Sequence, residues 1–234
     1  MKNYSKEQET SFAIGFFSVI QLLERHPEKV VSIYVAEDGI ESEGYRKILS
    51  MVPKNRIIVS SKAIERISKK ENGHVMAEFR KWQEDLSPKE DHLVMVNPMD
   101  KGNLGNAMRS LLAFGFHDLA VIEPCADIFD PKTVRASMGA LFHIRVERFP
   151  SFEAYLAKYS RNYYPFVLRK AKPMHEVSFL SPLALVFGNE AAGLPETIDN
   201  ENNVRIEQSD EVDSLNLTTS IAIALYRLRM DRGY

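Results

Sequence analysis

Five short apolar runs in the second half of the chain constrain its fold more than any other feature. His92–Val96, 119–122, 142–146, 166–168 and Leu183–Phe187 are each separated by stretches with helical spacing. Apolar runs of this length, without polar alternation, suit strands of a parallel sheet buried on both faces, with crossover helices between them. In open α/β sheets ligands collect at the carboxyl ends of the strands, so the loops after these runs are where chemistry is expected. The first 80 residues repeat the rhythm on a smaller scale. Residues 10–25 read as a helix, 30–35 as a strand, 45–51 as a helix stopping at Pro53, 56–59 as a strand, 62–68 as a helix and 75–79 as a strand. The expected organisation is a small α/β domain over 1–80, a linker or charged helix over 81–91 containing Pro88, and a larger α/β domain over 92–234.

Composition narrows the classes of function. A single cysteine, Cys125, excludes a disulfide framework and a cysteine zinc cage, and fits a reducing compartment. The six histidines have no close metal spacing, so no metal site is expected. The polar, acidic first ten residues do not resemble a signal peptide, and the apolar run 11–23 is short of the ~20 residues a membrane span needs. A cytoplasmic protein without a membrane partner is the expectation. The formal charge of −2 argues against bulk electrostatic binding of nucleic acid, but the charges are segregated. Residues 54–70 carry Lys54, Arg56, Lys62, Arg66, Lys69 and Lys70 against Glu65 alone. Residues 158–172 carry Lys158, Arg161, Arg169, Lys170 and Lys172 with no acid, whereas 196–213 carry seven acids against Arg205. These are either solvated faces or two phosphate-contacting surfaces beside a pocket that prefers a cation. Trp82, Tyr163 and Tyr164 are either packed aromatics or base-stacking candidates.

Three loops carry the candidate site. In the first, Asn103 stands where a helix N-cap belongs, Ala107, Leu111 and Phe114 form the buried stripe, and Arg109 lies near the helix start. In the second, the strand 183–187 ends at Gly188, followed by Glu190, Gly193 and Pro195; it is neither a Walker loop nor a dinucleotide fingerprint. In the third, Asp213 or Ser214 would cap a C-terminal helix whose apolar face is Leu217, Ile221, Ala224, Leu225 and Leu228, with Asn216 beside it. Singly, each loop also fits an ordinary cap or turn.

In this order, the loops resemble the motifs of the SpoU (TrmH) family of RNA ribose methyltransferases, in the SPOUT superfamily. Asn103, Gly105, Arg109 and Ala113-Phe114-Gly115 match its first motif, Gly188, Glu190 and Gly193 its second, and Ser214-Leu215-Asn216 its third. Residues 136–142 resemble its small-residue turn before a central strand, and the likeness spans about 92–232. The first 80 residues resemble a small RNA-binding domain that many members carry, through Ile14-Gly15, Ser60-Ser61-Lys62 and Asn72-Gly73-His74.

The resemblance implies a Rossmann-like parallel sheet tied in a deep trefoil knot, an arrangement that general folding rules alone would reject. It implies a homodimer that moves a methyl group from S-adenosylmethionine to a ribose 2′-hydroxyl of rRNA or tRNA. It assigns the cofactor to backbone groups around Gly188, Ile206 and Leu215, and catalysis to Asn103, Arg109, Glu190, Ser214 and Asn216. Arginine is a poor base, with a pKa above ~12, so Arg109 would position and stabilise charge. The basic patches suggest Lys62, Arg66, Lys69, Arg161 and Arg169 as RNA contacts. The chain departs from the family where the third motif usually reads Ile-Pro-Met before a glycine; here it reads Ile206-Glu207-Gln208, with Asp210 in the glycine position. A non-catalytic RNA-binding paralogue without cofactor binding, and a related enzyme that methylates a base, are the alternatives.

Overall fold

Alternating apolar runs and helices build a four-stranded, a five-stranded and a short two-stranded sheet in the computed structural model, which describes residues 4–68 and 73–233. In chain order the first elements are β1 (Thr10–Ile14), α1 (Phe16–Arg25), β2 (Val30–Val35), α2 (Glu43–Met51), β3 (Ile57–Val59), α3 (Ser61–Ser68) and β4 (Val75–Arg80). There follow β5 (His92–Val96), α4 (Lys101–Ala113), β6 (Asp118–Ile122), α5 (Pro131–Ala136), β7 (Arg145–Phe149), α6 (Phe152–Lys158), β8 (Asn162–Pro165) and β9 (Lys172–Pro173). The last are β10 (Leu183–Phe187), β11 (Val204–Arg205) and α7 (Leu217–Asp231). The chain divides into two units, Met1–Trp82 with Asp127–His143, and Gln83–Ala126 with Ile144–Tyr234.

The first unit holds a mixed sheet in the order β1-β4-β2-β3, with β3 parallel to β2 and the other pairs antiparallel. The continuous helix expected over 10–25 is instead a strand followed by a helix. Gly15 separates them at φ 96, a conformation a helix interior cannot contain, and Thr10–Ile14 pairs with β4. Residues 127–143, placed by the sequence reading in the domain 92–234, belong to this unit. Their Phe129 and Phe142 meet the Trp82 ring at 5.1 and 6.3 Å, so Trp82 is a packed aromatic.

The second unit is a five-stranded parallel sheet in the order β7-β6-β5-β10-β8. Every residue of β5, β6 and β10 is buried, as their uninterrupted apolar character requires, and each large side chain so buried contributes about 1.5–3 kcal/mol. Two expected strands are displaced. The run 142–146 ends a 3-10 turn, and the strand begins at Arg145 on the sheet edge. The run 166–168 follows β8 rather than forming it, and Phe166 makes an isolated parallel bridge to Val204. From Gln83 on, the expected linker packs on this unit: the Leu86 and Ser87 amides donate to Glu147 and Asp118, and Arg161 donates to the carbonyls of Glu90 and Pro88 at 2.6 and 3.2 Å. Beneath it His92 is buried, its Nε2 donating to Ser87 O at 2.8 Å and its Nδ1 accepting from the Tyr155 hydroxyl at 2.9 Å. Burial lowers its pKa to about 4.

Candidate active site

The site forms where β10 stops. Phe187 stacks on Phe166 with ring centroids 4.4 Å apart, and the chain then turns sharply through Gly188. A Cβ on Gly188 would overlap the backbone of Gly193 and Leu194, so only glycine allows this turn. Asn189 closes it: Asn189 and Gly193 exchange backbone hydrogen bonds of 3.2 and 2.9 Å, and Asn189 Oδ1 accepts from the Ala191 and Ala192 amides. Asn189 Nδ2 donates to Asn97 O at 2.8 Å, and Asn103 Nδ2 donates to Glu190 Oε1 at 3.2 Å. The loops after β5 and β10 are thereby tied together twice.

A cleft of about 340 Å³ opens beside this turn, within the range of about 300–1,000 Å³ usual for small-molecule sites. Gly188, Ile206, Ser214 and Leu215 all line it, so the three cofactor candidates and one catalytic candidate converge. Glu190 lines it too, and brings Asn103 to its edge. Arg109 and Asn216 do not line it. Arg109 is exposed on α4, and Asn216 caps α7, its Oδ1 accepting from Thr218 N at 2.9 Å. This corrects the expectation of Asp213 or Ser214 as the cap. The cap of α4 is likewise Asp100, which accepts from Asn103 N at 2.7 Å, leaving the Asn103 amide side chain to Glu190.

The altered third motif acquires its own supports. Glu207 accepts from Met174 N at 3.2 Å and pairs with His175, which holds its carboxyl below the usual range. Gln208 Nε2 donates to the carbonyls of Val212 and Asp213 at 3.2 and 3.3 Å. These bonds hold the segment that carries Ile206, Ser214 and Leu215, which lacks the proline that would otherwise fix its backbone.

Of the candidate RNA contacts, Lys62 and Arg66 are exposed on α3, and Lys69 lies outside the described residues. Arg161 and Arg169 are engaged internally. Arg161 clamps the Pro88 and Glu90 carbonyls, while Arg169 makes a two-pronged ion pair with Asp199 at 2.7 Å and donates to Leu194 O. Tyr163 packs edge-on against Phe152, and Tyr164 is buried against Phe179. Sequence reasoning missed Asn189 and Ser220 and named Gln208 only as a motif departure and Arg205 only as a charge, although all four line the cleft. Asn189 was signalled only by its place inside the glycine-bounded turn. Among the described residues no group of three or more His, Cys, Asp or Glu could hold a metal ion, and no helix is long and apolar enough to cross a membrane.

A buried parallel sheet with a polar-edged cleft beyond its strand ends defines an α/β ligand-binding domain. A sequence profile of the SpoU rRNA Methylase family matches residues 91–226, and the chain belongs to that family. It is 26% identical over 212 residues to the 23S rRNA (guanosine(2553)-2'-O)-methyltransferase RlmP of Bacillus subtilis (strain 168), covering 84% of this chain and 86% of that one. It is 31% identical over 149 residues to a tRNA (cytidine(34)-2'-O)-methyltransferase of Aeromonas hydrophila, covering 61% of this chain and 94% of the relative. The crystal structure of an AdoMet-bound rRNA methyltransferase from Sinorhizobium meliloti superposes with a TM-score of 0.77 at 25% identity, covering 95% of this chain and 87% of that one.

Proposed function

We propose that this protein transfers a methyl group from S-adenosylmethionine to a ribose 2′-hydroxyl of structured RNA, rRNA or tRNA. The observation that carries the reading is the cleft at Gly188, where the second and third family motifs converge beside a turn only glycine can make. Its residues fit the methyl donor. The glycine turn admits close backbone approach, Ile206 and Leu215 supply apolar contact, and exposed acids at Asp210, Glu211 and Asp213 favour a cation nearby. When bound, S-adenosylmethionine supplies a methyl group on a positively charged sulfur that needs no further activation.

The chain's own residues then have the task of presenting the hydroxyl. Asn103 and Glu190 brace each other across the two loops, and Ser214 offers a hydroxyl at the cleft. Arg109 brings a fixed cation with planar donors, suited to holding a phosphate and stabilising charge on the ribose oxygen. Asn216 sets the start of α7 and so the direction of the Ser214-Leu215 backbone. Positioning alone can lower a barrier by several kcal/mol, so no separate base is required.

The same reading includes a cytoplasmic homodimer with a deep trefoil knot. Insertion of β10 between β5 and β8 supports the knotted topology. Exposed Tyr226 and Met230 on α7, with Phe114 of α4 against the Tyr226 ring, support a dimer face on these helices, from which an exposed Arg109 completes the partner's site. The domain over 1–80 is assigned to RNA, supported by exposed Lys54, Arg56, Lys62 and Arg66 around the exposed Ile58 and Val59 of β3. Calorimetric titration with S-adenosylmethionine tests the core of the reading. Micromolar binding by the wild type and by Arg109→Ala, with methyl transfer lost only in the variant, is the expected result. Absence of binding by the folded wild-type protein, with or without RNA, would sink it.

A further inference from the structure

We infer that the short β9–β11 ribbon beside the cleft is the RNA-contacting lip of the site, with Lys170, Lys172 and Arg205 as its phosphate contacts. The inference rests on the methyltransferase reading and adds the side from which the substrate strand enters. Of the five cations over 158–172, the fold engages three internally. Lys158 bridges Asp85 and Glu147 at 2.6 Å each, Arg161 holds the Pro88 and Glu90 carbonyls, and Arg169 pairs with Asp199. Lys170 and Lys172 remain exposed, and an exposed Arg205 joins them from a distant part of the sequence. Lys172-Pro173 and Val204-Arg205 pair in parallel register, which puts Lys172 and Arg205 on neighbouring strands one residue apart. Arg205 also lines the cleft itself. None of the three cations makes a hydrogen bond or ion pair through its side chain among the described residues.

The lip is rigid, which lowers the entropy lost when a strand docks on it. Val167 N donates to Val204 O and Lys172 N to Asn203 O, both at 2.9 Å, while Arg169 ties the turn to Asp199 and Leu194. Lys170 is held at φ 43, in the left-handed region that few non-glycine residues occupy. The third-motif segment carries the reverse charge, with exposed Asp210, Glu211 and Asp213 between Gln208 and Ser214, which both line the cleft. A polyanion is repelled there and drawn to the ribbon, so the mouth of the cleft has a single favourable side of approach.

The test uses the full-length protein, a short fluorescein-labelled hairpin RNA and a salt titration. Joint replacement Lys170→Glu, Lys172→Glu and Arg205→Glu is expected to weaken RNA binding about tenfold or more at low salt and to reduce the log–log salt slope by about 2. S-adenosylmethionine affinity should stay within about twofold in the Lys170→Glu, Lys172→Glu double variant, whose two positions lie outside the cleft lining. Lys89→Glu, at an exposed cation away from the ribbon, controls for bulk charge and should change RNA binding little. If the glutamate variant does not fold, the same three positions changed to glutamine carry the test, with the same direction and a smaller loss. Unchanged RNA affinity and salt slope in a folded variant that binds S-adenosylmethionine would overturn the ribbon assignment alone. Wild-type protein that binds no S-adenosylmethionine would instead remove the reading beneath it.

Discussion

At Gly188 a single added methyl would collide with the carbonyl of Gly193 and the amide of Leu194, both backbone and neither able to move aside cheaply. Gly188→Ala should therefore open the turn that forms the cleft wall. The expected outcome is loss of S-adenosylmethionine binding by calorimetry with the second sheet still folded by circular dichroism; retained affinity would mean that the turn does not form the cofactor site. Gly188 was legible in the sequence as the abrupt end of a buried strand, whereas Glu190 and the Ser214-Leu215-Asn216 run fitted an ordinary turn and cap singly and were singled out through the family resemblance. The tasks of Asn103 and Asn216 were only half legible. Both are N-cap residue types, and propensity does not say which of several neighbouring caps is used. Asp100 takes the cap of α4 and frees Asn103 for Glu190, whereas Asn216 takes the cap of α7 and leaves Ser214 in the cleft. Replacing Asn216 by alanine should cost about 1 kcal/mol of stability, measured by urea denaturation, since Thr218 N loses its acceptor. No change in the midpoint would show the cap to be energetically idle.

Among the elements, β5 couples the sheet to pH through His92, which is enclosed by Ser87, Tyr155 and the Tyr159 ring. Its folded-state pKa of about 4 lies below the unfolded value of about 6.5. A lowered histidine contributes stability that is fully present above the unfolded value and is lost as pH falls through the folded one. Stability should thus decline between about pH 6.5 and pH 4, by on the order of 3 kcal/mol from this group. Urea midpoints at several pH values would check it. His92→Phe should be less stable at neutral pH, because Ser87 O loses its donor, yet show a shallower acid slope; an unaltered slope would assign the effect elsewhere. Helices and buried strands were legible from periodicity except where a glycine or a distant pairing intervened. Gly15 splits the run 10–25, and the apolar residues 166–168 lie beyond the end of their strand because Phe166 and Val167 bond to Val204. That pairing joins segments far apart in the chain, and no local pattern encodes it. It also builds the cleft wall that sequence reading did not foresee.

At the scale of the whole molecule, charge is divided by task although the net charge is near zero. Three of the five cations over 158–172 are structural glue, which composition could not distinguish from a binding face, because their partners are carbonyls and carboxylates remote in sequence. Among the described residues, Lys62 and Arg66 of α3 make no side-chain hydrogen bond or ion pair. Reversing Lys62 and Arg66 should weaken RNA binding and flatten its salt dependence while sparing S-adenosylmethionine affinity; unchanged binding of structured RNA at low salt would remove the first unit from the substrate interface. The central claim is that the Gly188 cleft and its loops direct a methyl group to a ribose oxygen. It is tested most directly by incubating the protein with S-adenosylmethionine carrying an isotopically labelled methyl group and RNA from cells lacking the protein, then digesting the RNA to nucleosides for mass spectrometry. The account predicts a labelled 2′-O-methylnucleoside from rRNA or tRNA that is lost with Arg109→Ala. Label on a base, or no labelled nucleoside from any RNA fraction, would contradict it.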